Sequence, residues 1–434
     1  MINPVTFFGV ALGALALAGI TLAHHATIWP SQIYAAISSP SNFKHEWTDI
    51  SIFQMEGRYK VFWNVGDWTT ANPIQSLAHG FSAMSIVDPF SNRAGNGKQR
   101  IDIFMGENTK NPWLKPEFFE SVVKADVAKV QKQNTLALDI EFPIETNASE
   151  LWQNKKIRDD SHTSSLAQFV EAYFHEWASW YALPLKWAKE AQPNSVVGLY
   201  GRQPFQRDYW GIANKTPSEI EATHEGDMKL WKSIDPYVDA YFIDIYNFYE
   251  LPDSIFYMAS NVELNYRNSR KFGNKPIYAY EWMRYHPSNP VLGGRELAPY
   301  LVEAMAIVPF FSGADGLVLW GYEPQLKRTD GQPYQQMPLY AQSLKRVGEL
   351  SKKMSLGNLE IDEPASVSWM NHSPLTRRVK LNSDNCILMA VNPWQNDGEQ
   401  SSVSVKCGDY DITLVTTGKH VTIAEYLDGK IHLH

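Results

Sequence analysis

The strongest constraint on the fold is a recurrence that begins near residue 59. Short apolar runs alternate with stretches of helical periodicity, the pattern of parallel strands joined by helices. Seven strand runs stand out: Tyr59 to Val65, Arg100 to Met105, Thr135 to Phe142, Ser195 to Gly201, Asp239 to Tyr246, Lys275 to Trp282 and Asp315 to Gly321. They are continuous in Val, Ile, Leu and aromatic residues, as strands covered on both faces are. Helices are expected between them, among others over Pro116 to Gln133, Ser164 to Ala191, Ser218 to Ser233 and Gly294 to Val308. An open doubly wound sheet would want a G-x-G-x-x-G turn after its first strand or a phosphate loop, and the sequence has neither. The expectation is an α/β fold, a distorted (β/α) TIM-like barrel of about seven parallel strands spanning residues 50–355.

After about Leu356 the pattern changes to short alternating runs separated by turn residues: Ser366 to Asn371, Arg378 to Asn382, Cys386 to Asn392, Ser401 to Cys407, Asp411 to Thr416 and Lys419 to Tyr426. These predict a small all-β, sandwich-like domain over residues 356–434. Its two cysteines, Cys386 and Cys407, are the only ones in the chain. In an oxidising compartment they would pair and tie two strands together, and in a reducing one they would be buried thiols. At the other end, Val5 to Ala23 is an apolar run followed by small residues that suit a signal-peptidase site, so residues 1–26 read as a signal peptide or a membrane anchor. Once that segment is removed, no membrane span is expected. A secreted or periplasmic protein follows from this reading.

Composition narrows the partners. Lys and Arg number 39 against 47 Asp and Glu, a net charge of −8 without a basic run, which argues against nucleic acid. Aromatic residues make up 13% of the chain, a load that suits either flat sugar faces or a core rich in rings. No C-x-x-C, no paired histidines at helical ligand spacing around His175-Glu176 and no G-x-S-x-G elbow occur, so zinc chemistry and serine-based acyl transfer lack their residues. No cofactor is expected.

In parallel barrels the chemistry collects at the C-terminal ends of the strands. Those ends are polar or aromatic: Asn64, Asp139, Glu141, Tyr200, Arg202, Asp244, Tyr246, Tyr280, Glu281, Trp320 and Tyr322. Asp139 and Glu141 stand two apart on one strand, so both side chains leave the same face. Repulsion between neighbouring carboxylates raises the pKa of at least one, the condition for a general acid near neutral pH.

Leu136-Ala-Leu-Asp-Ile-Glu141 resembles the strand of the hyaluronidase family of glycoside hydrolases that carries its Asp-x-Glu pair. Tyr59-Lys-Val-Phe-Trp-Asn64, Ile101-Asp-Ile-Phe104, Val197-Gly-Leu-Tyr-Gly201, Asp244-Ile-Tyr246, Pro276-Ile-Tyr-Ala-Tyr280 and Gly313-Ala-Asp-Gly-Leu-Val-Leu-Trp-Gly321 resemble other strands of that family in the same order. The resemblance covers residues 59–322 and implies a barrel enzyme. It implies Glu141 as general acid and base, with Asp139 orienting the substrate's own acetamido group as the nucleophile. Tyr200, Tyr246, Tyr280 and Trp320 would be the matching sugar contacts, with Asn64, Arg202 and Glu281 as further substrate-binding candidates. The implied partner is an N-acetylhexosamine polysaccharide, hyaluronan- or chondroitin-like. Hyaluronan is a polyanion and would need a basic groove, for which Arg202, Arg207, Arg284 and Arg295 are candidates.

Two other readings are carried forward. Glu281, after the sixth strand run, would serve as an enzymic nucleophile opposite Glu141 on a glycan without N-acetyl groups, given a carboxyl separation of about 5–5.5 Å. Alternatively, the chain would be a carbohydrate-binding or adhesion protein without turnover.

Overall fold

The computed structural model describes residues 47–65, 74–90, 110–130, 132–141, 147–204, 209–213, 215–321 and 335–434. The expected signal segment, the Arg100 to Met105 run, Arg207 and Tyr322 lie outside the described residues.

Seven parallel strands form one sheet: β1 (Lys60–Val65), β2 (Ser85–Val87), β3 (Thr135–Asp139), β4 (Val196–Tyr200), β5 (Ala240–Asp244), β6 (Ile277–Trp282) and β7 (Gly316–Gly321). Their spatial order is β1-β7-β6-β5-β4-β3-β2. Ser82, just before β2, bridges in parallel to Phe62 of β1, with backbone bonds from Ser82 N to Val61 O (2.7 Å) and from Trp63 N to Ser82 O (3.0 Å). Those bonds close the curl into a ring. β2 was not legible as a run in the sequence, since only three residues pair there.

Helices cover the strands from outside: α1 (Phe119–Lys129), α2 (Leu166–Ala191), α3 (Pro217–Ile234), α4 (Asp253–Lys271), α5 (Pro299–Ser312) and α6 (Met337–Leu356). Their sequences explain their ends. Ser165 caps α2 by accepting from Gln168 N, and Thr216 and Glu219 form a reciprocal capping box on α3, with Pro217 in its first turn. α5 is buried all round, consistent with its uninterrupted apolar sequence.

Inside the ring, alternate residues interlock. Tyr278 contacts Phe62 edge-on, with centroids 5.0 Å apart, and Phe242 at a tilt, 5.4 Å apart. Gly198 makes room for this layer, since a Cβ there would lie 2.5 Å from the Phe242 ring. Much of the aromatic load is core: α2 alone buries Phe169, Tyr173, Trp177, Trp180, Tyr181 and Trp187.

The C-terminal region is all-β apart from one short helix. Five strands make an antiparallel sheet in the order β14-β13-β10-β9-β8: β8 (Asn358–Glu360), β9 (Leu375–Lys380), β10 (Cys386–Val391), β13 (Thr422–Leu427) and β14 (Lys430–Leu433). A hairpin of β11 (Gln400–Cys407) and β12 (Tyr410–Thr417) packs on it. Cys386 is disulfide-bonded to Cys407, linking the sheet to the hairpin around a small core with Leu388, Val403, Val405 and Leu414. The other face of β10, through Ile387, Met389 and Val391, joins the core of the barrel, which explains why every residue of β10 is buried. Ser366 to Asn371 corrects one expectation, because Ala365–Met370 is a helix, α7, rather than a strand. Its apolar residues Ala365 and Trp369 are four apart and both buried, a helical spacing that short alternation masks. Arg377 of β9 and Glu263 of α4 form a buried ion pair, and Glu263 also accepts from Ala365 N.

Candidate active site

Strand direction places the C-terminal ends of β1 to β7 on one rim, and period-two alternation decides which side chains enter the ring. Asn64, Asp139, Tyr200, Asp244, Tyr280 and Trp320 follow the inward positions of their strands, and Glu141 and Tyr246 continue the same parity one step beyond. The structure brings these groups together.

Asp139 ends β3, and Glu141 follows after Ile140, whose backbone N donates to Tyr200 O at 3.2 Å. Gly201, with φ +87°, is the neighbour that lets Glu141 lie there, because a Cβ would come within 2.8 Å of Glu141 Cγ and 2.5 Å of Ile140 O. The Asp139 and Glu141 carboxyls are hydrogen-bonded to each other. Glu141 is open to solvent on one side, yet the cleft walls crowd its carboxyl from the others. Desolvation pushes its pKa up to about 7, the charge of Asp244 adding to the rise, Asp139's hydrogen bond opposing it and Asp88 contributing further. Asp139 rises well above the usual carboxylate range, again through desolvation first and then the charges of Glu141 and Asp88. Such a pair shares protons, and its titration belongs to both members.

Asp88 and Asp244 complete a group of four carboxylates. Asp88 follows β2 and accepts from Phe90 N at 3.1 Å. It escaped the sequence reading because β2 itself did. Asp244 ends β5 and accepts from Gln203 Nε2 at 3.1 Å. Among the described residues, no group of three or more His, Cys, Asp or Glu side chains is placed to hold a metal ion.

Aromatic rings wall the carboxylates. Tyr200 and Tyr280 lie 4.6 Å apart between centroids, the Tyr200 hydroxyl donates to the Tyr246 hydroxyl at 3.4 Å, and Tyr246 contacts Trp320 at 5.7 Å. Trp282, not singled out from sequence, closes this wall against Trp320 at 4.9 Å. Strand parity with Tyr280 could have found it. Burial raises the phenol pKa values of Tyr200, Tyr246 and Tyr280, so all three are neutral hydrogen-bonding hydroxyls. The Asn64 amide lies beside the Tyr280 hydroxyl and lowers its pKa somewhat, but Asn64 Nδ2 and Tyr280 OH, both buried, do not meet hydrogen-bond geometry.

Two predicted residues are not brought to the cleft. Glu281 sits between Tyr280 and Trp282 on β6, so it leaves the opposite face of the strand. It accepts a hydrogen bond from Tyr340 of α6 and is buried behind the ring, with burial raising its pKa well above the usual range. Arg202 turns toward Tyr181 of α2 and hydrogen-bonds its hydroxyl. The basic groove expected for a polyanion is likewise not assembled among the described residues: Arg284 is buried and donates to Gly294 O at 3.1 Å, and Arg295 is exposed with its carbonyl in a backbone turn to Tyr285.

No protein-family model and no curated protein sequence matches this chain. Among solved structures it is similar to bee venom hyaluronidase in complex with a hyaluronic acid tetramer, at 17% identity and a TM-score of 0.42, over 61% of this chain and 90% of that one. It is similar also to the hyperthermostable endo-1,4-beta-D-mannanase of Thermotoga petrophila, at 15% identity and a TM-score of 0.37, over 64% of this chain and 77% of that one.

Proposed function

We propose that this protein is a glycoside hydrolase that cleaves within N-acetylhexosamine-containing polysaccharides by substrate-assisted catalysis. The observation that carries the reading is the Asp139–Glu141 pair, hydrogen-bonded together at the mouth of an aromatic-walled barrel, with Glu141 held near pKa 7. A group with that pKa is protonated often enough to act as an acid and ionised often enough to act as a base at neutral pH.

The spacing argues for a nucleophile on the substrate. Two carboxyls in direct hydrogen bond are closer than the roughly 5–5.5 Å of a retaining pair or the roughly 6.5–9.5 Å of an inverting pair. Glu281, the other candidate nucleophile, faces α6 instead. An acetamido carbonyl oxygen would attack the anomeric carbon as Glu141 gives its proton to the leaving glycosidic oxygen. Asp139 would accept from the acetamido N–H and stabilise the cyclic cation that forms. Glu141, now ionised, would take a proton from water as the water opens that ring, giving net retention. Tyr200, Tyr246, Tyr280 and Trp320 would hold the sugar by ring contact and hydroxyl bonds, and Asn64 would supply the amide at the floor.

The field of Asp88, Asp139, Glu141 and Asp244 opposes a uronate next to the cleaved bond. Uncharged N-acetylhexosamine polymers are therefore favoured over hyaluronan and chondroitin within the class. The Cys386–Cys407 disulfide supports an extracytosolic location, in keeping with the apolar segment near the N-terminus. Among the described residues, no helix is long and apolar enough to cross a membrane.

Product release from chitin-type, hyaluronan, chondroitin and non-acetylated polysaccharides tests the proposal, with wild type beside Glu141→Gln. Oligosaccharides from N-acetylated polymers alone, lost in the variant, are expected. Equal cleavage of non-acetylated glycans, or turnover that survives Glu141→Gln, would overturn it, and binding without turnover on every polymer would point to a carbohydrate-binding protein instead.

A further inference from the structure

Trp210 is a tryptophan left largely on the surface, 58% exposed, and it stands on the same rim as the carboxylates. It lies in the short helix Tyr209–Ile212, in the connection that leaves β4, while Tyr249 lies in the connection that leaves β5. Both therefore belong to the C-terminal end of the ring.

Ring contacts run without a break from the cleft to this point. Tyr246 stacks on His286 at 6.2 Å, His286 contacts Phe248 at 4.7 Å, Phe248 contacts Tyr209 at 6.3 Å, and Tyr209 contacts Trp210 at 5.2 Å. Phe248 and Tyr209 are buried and form the support, whereas His286, Tyr249 and Trp210 reach the surface. The Trp210 ring is nearly perpendicular to Tyr209 (88°) and to Tyr249 (72°), so neither covers it by stacking. An indole fixed by two edge contacts keeps little rotamer freedom to lose on binding, which makes it a preorganised surface. Single exposed apolar residues need no explanation, but one fixed at the end of an aromatic track from a cleft is placed for a ligand that enters that cleft.

We propose that Trp210, with Tyr249, is a remote subsite that stacks a pyranose ring of the same glycan chain whose cleaved residue lies at Glu141. The inference rests on the glycosidase reading and deepens it, because a contact several rings from the carboxylates helps only a polymer. A sugar presents axial C–H groups to an aromatic face, and such a contact carries no charge requirement, in keeping with a rim whose central charges are carboxylates.

The test uses the full chain as wild type, Trp210→Ala, Glu141→Gln and Tyr237→Ala. Tyr237 is also exposed (43%) but precedes β5, on the far end of the ring, and serves as the control. Retardation in native gels containing soluble glycol chitin, hyaluronan or chondroitin reads binding without turnover. Wild type, Glu141→Gln and Tyr237→Ala are expected to be retarded by one or more of these polymers, and Trp210→Ala to bind about five- to tenfold more weakly, the effect of one lost stacking contact. On a polymer that is cleaved, KM should rise by the same factor with kcat unchanged, and rates on a disaccharide glycoside should stay at the wild-type value. Equal retardation of Trp210→Ala and wild type, or no retardation of wild type by any of the three polymers, would overturn the subsite. Retardation that depends on Trp210 in a protein without turnover would sink the hydrolase reading and leave the subsite standing.

Discussion

Glu141 owes its character to crowding. Desolvation and the Asp244 charge both favour its neutral form, and Asp139's hydrogen bond only partly offsets them. Replacing Asp244 by Asn removes a repulsive charge, so the pKa of Glu141 should fall and the alkaline limb of the pH–rate profile should move to lower pH. A limb that stays in place or moves up would contradict the role given to Asp244. The same crowding has a cost in stability. A carboxyl whose pKa is raised from 4.5 to about 7 on folding stabilises the native state fully only below about pH 4.5, and that contribution is lost as pH rises through about 7. Glu141→Gln should therefore melt at the wild-type temperature at pH 4 and above it at pH 8, as thermal denaturation at the two pH values would read. A variant that melts below wild type at pH 8 would count against this reading.

At the scale of elements, the sheet and hairpin of the C-terminal region depend on one covalent link. Cys386 and Cys407 are 21 residues apart, and closing a loop of that size restricts the unfolded chain enough to stabilise by about 3 kcal/mol. Replacing both cysteines by Ser should lower the unfolding free energy by about that amount, read as a lower denaturant midpoint together with a somewhat steeper transition as the denatured chain expands. A midpoint within error of wild type would mean that the hairpin core around Leu388 and Val405 suffices. The long runs at β3 to β7 were legible because β-branched and apolar residues are continuous there, as burial on both faces requires. Ser85–Val87 was not, since three residues carry no periodicity, and with it went Asp88. Ser366 to Asn371 misled because Val367 and Trp369 alternate with serines, although Ala365 and Trp369 share one helix face. Glu281 was misplaced against a signal already present: Tyr280 and Trp282 cannot enter the ring unless Glu281 leaves it. Arg202 was singled out for the cleft, but its partner was not legible, because Tyr181 comes from a helix 21 residues earlier in the chain.

Across the whole molecule, barrel and C-terminal strands share one core, and polar contacts join them on the outside. Glu303 of α5 accepts from Arg346 of α6 and lies 2.7 Å from His420 Nδ1, while Arg346 donates to the carbonyls of Val421 (2.7 Å) and His434 (3.1 Å). The Glu303 hydrogen bond raises the His420 pKa above 6.5 despite partial desolvation. His420 therefore stabilises this junction fully below pH 6.5 and loses its contribution as pH rises through its raised value. Limited proteolysis of the strands after Val421 should be slower at pH 6 than at pH 8.5, and His420→Gln should erase the difference. An unchanged pH dependence in His420→Gln would assign it to other groups.

At the C-terminal rim of the ring the sharpest claim is that the nucleophile belongs to the substrate. Digestion of a partly N-deacetylated sample of the polymer that the enzyme cleaves, with mass spectrometry of the new reducing ends, reads this directly. An acetamido nucleophile predicts that every new reducing end is an N-acetylated residue. Deacetylated hexosamine at those ends, in proportion to its abundance in the polymer, would contradict substrate assistance and require a carboxylate nucleophile on the protein.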